Sequence, residues 1–460
     1  MSYSAKTIPV VRPMLRSVTQ MRITLMGLTS AALLMTAFAE QARAVEVQEV
    51  VSDGGITAWL IEDHLNPLLT MDFTFKGAGA ATDPSGKTGL ANMVSGLIDE
   101  GAGAMDSQTF RTEMEDRSIS ISFDAGRDDF GGSMVTLTRE RDTAIDLLRL
   151  SLSEPRFDDE AVERIRSQVI GGLKRSENDP GDIASRAFFK SIFGDHAYAN
   201  SVSGTIETVK SLNANDFRTF VRNAMARDNL VIGVAGDITA AELGPLLDEA
   251  FGSLPAKSDL PTIPDVTPKF GGIEVITQDI PQSQAIWGQK GISRKAPDFY
   301  AAYVMNYILG GGGFSSRLTE EVREKRGLAY GVYSYLADMD KAEMMMGGVA
   351  TRNDAVGQSL SIIGQQWQKM KDNGVTQQEL DNAKSYLTGA FPLRFTSLGN
   401  LSGMLVGMQM EDLGMDFLDK RNSLVDAVTL DQVNRVAKEL LEPEHVTVTV
   451  VGKPEGDLSF

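Results

Sequence analysis

The sequence predicts an α+β protein of two homologous domains, each a mainly antiparallel sheet flanked by helices. Three observations predict this. First, FDDEAVERIRSQVIGGL from Phe157 has a counterpart in VTQQELDNAKSYLTGAF from Val375, and NANDFRTFVRNAMARDNLVIGVAGD from Asn213 has one in VTLDQVNRVAKELLEPEHVTVTVVGK from Val428. Self-similarity at a domain-sized offset means a duplicated domain, not a solenoid of short repeats. Second, each half mixes strands in hairpins with several helices. Third, residues 257–270 carry Pro261, Pro264 and Pro268 without periodicity, so they read as a linker. The expected organisation is a leader over 1–44, an N-terminal domain over 45–256, the linker 257–270 and a C-terminal domain over 271–460.

The elements follow in order. Residues 45–51 and 57–62 are short β-rich runs around Asp53-Gly54-Gly55 and read as a hairpin. Residues 68–76 alternate with period two, which predicts a strand. GLANMVSGLIDEGAG from Gly89 reads as a helix ended by Gly101, and 107–117 as a further helix. Strands are expected over 119–125 and 132–138, and amphipathic helices over 139–151 and 158–176. A helix over 183–193 and a capped helix over 213–225 lead to a strand over 230–235, which ends at Gly236-Asp237.

Composition sets limits on function. The chain has 460 residues, a formal charge of −18 and no cysteine. Disulfides, thiolate zinc sites and cysteine nucleophiles are thereby excluded. Arg12, Arg16 and Arg22 precede the apolar run Ile23 to Ala39, and Ala42-Arg43-Ala44 follows it. This is the pattern of a cleaved secretory signal, with a retained anchor as the alternative and Met21 as an alternative start. Removing residues 1–44 takes away five basic side chains and one acidic one, which moves the charge from −18 to −22. So acidic a chain is a poor nucleic-acid binder. A signal without cysteines suits a bacterial periplasm.

The stretch with most chemistry is GGGGFSSRLTEEVREKRGLAYGVYSY, from Gly310 to Tyr335. It reads as a glycine lead-in, a charged helix from Ser316 to about Lys325, a break at Gly327 and a strand with Tyr330, Tyr333 and Tyr335. The glycines lack the spacing and the following Lys-Ser or Lys-Thr of a phosphate loop. Gly311, Gly312 and Gly313 have no side chain to obstruct a substrate backbone. Arg323 and Tyr330 both donate hydrogen bonds, and a helix end with a tight turn can bring them to one side of a cleft. The plainer alternative pairs Arg323 with Glu320 and packs Tyr330 in a core. His64, His196 and His445 are remote from one another in sequence, so a histidine metal site is not expected. No G-x-S-x-G elbow appears.

These segments, with VERIRSQVIGGLKRSENDP from Val162 and SSRLTEEVREKRGLAYGVYSY from Ser315, resemble the pitrilysin/insulinase family of zinc metallopeptidases across the chain after the leader. The resemblance implies an H-x-x-E-H zinc motif on the helix that begins Gly89-Leu90-Ala91. The matching positions here are Asn92, Ser95 and Gly96, and the family's third, glutamate ligand falls near Gly171-Gly172. No zinc ligand is expected in this chain. The family's arginine and tyrosine, which face the zinc across a cleft, match Arg323 and Tyr330. The resemblance gives them the substrate carbonyls and the tetrahedral oxyanion to hold. It further implies the zinc-less subunit of a two-chain periplasmic peptidase, whose homologous partner brings zinc and general base, with a peptide or small unfolded protein as substrate. An inert scaffold or a peptide-binding subunit is the alternative.

Overall fold

Two sheets of matching strand order organise residues 46–460, which the computed structural model describes. The leader expected over 1–44 lies outside the described residues. The first sheet runs β1-β2-β6-β3-β5-β4. Its strands are β1 (Gln48–Val51), β2 (Thr57–Glu62), β3 (Leu68–Phe75), β4 (Ser120–Ala125), β5 (Phe130–Leu137) and β6 (Leu230–Gly236). The second runs β7-β11-β8-β10-β9. Its strands are β7 (Gly272–Thr277), β8 (Gln282–Lys290), β9 (Ala329–Met339), β10 (Ala342–Arg352) and β11 (Thr447–Gly452). In both, one parallel pair (β2 with β6, β7 with β11) precedes three antiparallel pairings. The first sheet adds β1 at its edge, paired with β2.

The burial patterns show why the central strands are central. Six of the seven residues of β6 and all of β11 are buried, as expected for strands covered on both faces. One face of each sheet packs on helices of its own half; Phe73, Phe75, Phe130 and Phe251 fill the first core, Trp287 and Trp367 the second. The other face is covered by a helix lent from the opposite half. Helix Pro180–Phe193 lies on β8 and β11, and helix Leu398–Met410 lies on β6 and β3.

Both crossings rest on a glycine. A Cβ at Gly288 would stand 2.7 Å from the Phe188 ring, and one at Gly233 would stand 2.8 Å from Leu405 Cβ. Phe188 is fully buried, and removing such a ring from water stabilises by roughly 2–3 kcal/mol. Gln409 fastens the second crossing, its Nε2 donating to Ile232 O at 2.8 Å.

One expectation is corrected, and one segment gains detail. The helix from Gly89 spans only Leu90–Ser95 rather than reaching Gly101. Leu97 and Ile98 both donate to Val94 O, which closes the helix in a tight turn. The proline-bearing segment 257–270 has no regular structure, yet it is docked rather than loose. Ile263, Val266 and Phe270 pack against the cluster of Phe188, Ile192 and Phe193. Lys269 N donates to Ile192 O at 2.9 Å.

Candidate functional site

The glycine run is wound, not open. Helix Phe299–Asn306 continues into a π-turn over Tyr307–Gly311, then a 3₁₀ turn over Gly313–Ser315. A Cβ at Gly310 would stand 2.8 Å from Leu318 Cδ1 and closer still to Ser334 Oγ. Those at Gly311 and Gly312 would stand 2.8 Å from Asn306 Nδ2 and 2.7 Å from Tyr307 O. Gly313 alone of the four takes a left-handed φ of 55° and has open space where a Cβ would go. The turn is latched to β9 by buried Asn306, whose Oδ1 accepts from Ser334 Oγ at 2.7 Å.

The charged helix that follows is π-wound over Thr319–Glu324, and Lys325 N donates to Glu320 O, five residues back, at 2.9 Å. Gly327 ends it at φ 59°. Strand β9 then pairs Ala329 with Thr351 and Val332 with Val349, so it carries one extra residue opposite β10. A bulge of this kind re-aims the side chains within it, and Tyr330 lies inside it.

The result is a stacked triad. Arg323 Cζ lies 4.5 Å from the Phe314 ring centroid and 4.8 Å from that of Tyr330. Phe314 is 72% exposed and Tyr330 87% exposed. Glu320 is paired with Lys325 at 2.9 Å, not with Arg323, whose Nε meets Glu324 at 3.3 Å. Cation–π stacking holds the guanidinium by its faces and leaves its N–H edge available to an oxygen. Beside the triad, Tyr330, Tyr333, Gln282, Gln284 and Arg352 line a groove of about 640 Å³ on the second sheet. Phe314 was not singled out from the sequence; the available signal was a large aromatic directly after four glycines.

The first half holds the positions matched to the zinc motif. Asp83 accepts the N–H groups of Gly89, Leu90 and Ala91 and so anchors the start of helix Leu90–Ser95. Burial pushes its carboxyl up to about 7, against those three bonds. Asn92 faces a cavity of about 450 Å³ lined also by Gly172, Ser176, Arg186, Phe189 and Arg127. Ser95 Oγ bonds back to Asn92 O at 2.9 Å. A Cβ at Gly96 would stand 3.2 Å from Ile165 Cγ2, a tight contact that Ile165 would have to yield to. Gly171 and Gly172 offer no ligand atom. These residues do not fit a zinc ion. Among the described residues no three His, Cys, Asp or Glu side chains are grouped to hold a metal. Two arginines line the cavity instead. Arg127 donates to Tyr198 O and Asn200 O at 2.6 and 2.9 Å, and burial lowers its pKa. Arg186 holds Ser176, with Nη1 donating to Oγ at 2.6 Å.

Residues 211–387 match a family model described as peptidase M16 inactive domain. A crystal structure of such a domain from Pseudomonas fluorescens is 27% identical and superposes with a TM-score of 0.83 over 90% of this chain and 99% of that one. The chain belongs to the peptidase M16 family. A "non-peptidase homolog YmxG" of Helicobacter pylori is 25% identical to this M16 chain over 91% of its length and 96% of the relative's. An "uncharacterized zinc protease" of Streptomyces coelicolor is 30% identical over 65% of this chain and 66% of its own. Residues 211–387 of this chain are thus of the M16 inactive-domain type. No described helix is long and apolar enough to cross a membrane.

Proposed function

We propose that this M16 chain is the non-zinc subunit of a heterodimeric periplasmic zinc metallopeptidase that degrades peptides or small unfolded proteins. A homologous H-x-x-E-H subunit supplies the metal and the general base. This chain supplies Arg323 and Tyr330, which donate to the substrate carbonyl and to the oxyanion it becomes. The groove beside Tyr330 receives the peptide, and Gly313, rather than the packed Gly311 and Gly312, lets its backbone approach. Of the three, Gly313 faces open space. One observation carries this reading. Arg323 is stacked between two rings that are themselves exposed, an arrangement the core does not require.

A second reading, peptide binding without cleavage or a scaffold role, is favoured by the arginine-lined cavity at Asn92. Reconstitution separates the two. Alone, the chain is expected to carry no stoichiometric zinc by elemental analysis and to cleave nothing. With its zinc-bearing partner it cleaves peptides. Arg323→Ala or Tyr330→Phe then lowers the rate by roughly 10²- to 10³-fold, mostly in kcat, with complex and zinc content unchanged. Full activity of both variants in an intact complex moves the chain to the second reading.

A further inference from the structure

Elsewhere in the second half, three arginines converge on an aromatic cavity of about 280 Å³. Phe299, Tyr300, Tyr303, Phe391, Met404 and Phe417 form its walls, and Arg294, Arg394 and Arg421 supply the charge. The rings are ordered: Phe299 and Tyr303 stack at 6.2 Å with planes 11° apart. The cations lie on them, with Arg294 Cζ 4.2 Å from the Phe299 centroid and Arg421 Cζ 4.6 Å from that of Phe391.

In so acidic a protein arginines find carboxylates readily, as Arg164, Arg317 and Arg435 do. Arg294, Arg394 and Arg421, in contrast, make no ion pair among the described residues. Arg294 donates to Tyr300 Oη at 3.1 Å, and the Asp338 and Glu411 carboxylates, which do not line the cavity, are near enough to attract it without an ion pair. Arg421 is 8% exposed, and its guanidinium donates only to neutral oxygens: Leu387 O at 2.6 Å, Asn422 Oδ1 at 3.1 Å and Tyr303 Oη at 3.3 Å. A buried cation without a counter-charge is costly, and an arriving anion offsets that cost.

We propose that this cavity binds a small amphipathic carboxylate, with its apolar tail among the rings and its carboxylate on Arg394 and Arg421. Guanidinium forks match carboxylates in geometry as well as charge. The walls are helices, a 3₁₀ turn and loop residues, with no strand edge among them, so an extended peptide has no ladder to join. That favours a free medium-chain acid over a peptide C-terminus. The cavity shares no lining residue with the groove at Tyr330, so its test is independent of the peptidase reading.

Calorimetric titration of the full chain with decanoate, decanol and a peptide ending in phenylalanine with a free carboxylate tests this. Decanoate is expected to bind at one site, at least about tenfold tighter than decanol, because a charge-assisted bond is lost in the alcohol. Arg394→Gln, at an exposed position, weakens decanoate about tenfold and leaves decanol unchanged. Met404→Trp fills the cavity and removes both. Failure of decanoate to bind, equal affinity for acid and alcohol, binding indifferent to both substitutions, or tighter binding of the peptide would each overturn the proposal.

Discussion

The helix that leads into β4 and the helix that leads into β9 occupy equivalent places in the two halves, and they differ by one residue. In the first half, Ser107–Arg117 is an ordinary α-helix. It ends with Ser118 N donating to Glu115 O and Ile119 N donating to Met114 O. In the second half the corresponding bonds run from Gly327 N to Arg323 O and from Leu328 N to Val322 O, each one residue longer. The extra residue is the π-turn. By strand register, Ile121 opposite Met134 corresponds to Val332 opposite Val349, both buried, and Tyr330 falls in the bulge between Ala329 and Val332, where the first half has no such extra residue. Ile121 is buried and its strand is regular, whereas Tyr330 sits in a bulge and is exposed. Two single-residue insertions therefore separate a packing element from an element aimed outward. π-turns and bulges carry a local cost and collect at functional positions. In this chain both flank the one pair that the first half lacks.

The comparison can be broken most severely at Gly310. Gly310→Val would collide with Ser334 and Leu318, so the second half should lose about 3 kcal/mol of stability. Thermal unfolding checks this; an unchanged Tm would mean that the turn is free of β9. Deleting Lys325 should convert the π-turn to the α-helix of the first half and rotate Arg323 by about 100°. Cleavage by the reconstituted complex should fall roughly 10²-fold while Tm stays within a few degrees. A smaller effect is expected for Phe314→Ala, which removes one face of the stack. A lost cation–π contact of about 0.5–1 kcal/mol corresponds to a few-fold loss of rate. A larger loss would give Phe314 a direct contact with substrate.

The smallest effect sharpens how the halves touch. Asp128 accepts from Tyr198 and from Asp340 N, so a turn of the first sheet meets the β9–β10 hairpin. Burial raises the carboxyl of Asp129 to about 6 and also raises Asp128, with Asp340 adding repulsion to both. A folded-state pKa above the unfolded value gives stability that is present at low pH and is lost as pH rises through the folded pKa. Tm should therefore fall modestly between about pH 4 and 7, and Asp340→Asn should flatten that slope.

The duplication, the hairpins and most helices were legible because they rest on local periodicity and caps. Asn213 caps its helix through the N–H groups of Asn215 and Asp216, and Ser107–Arg117 falls where its spacing placed it. The candidate positions Asn92, Ser95, Gly96, Arg323 and Tyr330 rest on resemblance rather than on periodicity. What escaped depends on contacts remote in sequence. Nothing around Ile183 announces that Phe188 will cover Gly288 of the other sheet. Nothing in TEEVRE signals a π-turn, since propensities do not distinguish it from an α-helix. The short helix at Leu90–Ser95 was overcalled because Leu97 and Ile98 continue the apolar spacing while their N–H groups close a turn.

The central claim is that the second half keeps an outward-aimed pair that the first half lacks. The most direct measurement removes both members of the pair at once, in the double variant Arg323→Glu with Tyr330→Ile. Cleavage by the reconstituted complex is the readout, with Tm and complex formation measured alongside. The account predicts a loss of at least about 10³-fold, because two oxyanion donors are removed, with assembly intact. Undiminished cleavage by an intact complex would contradict it.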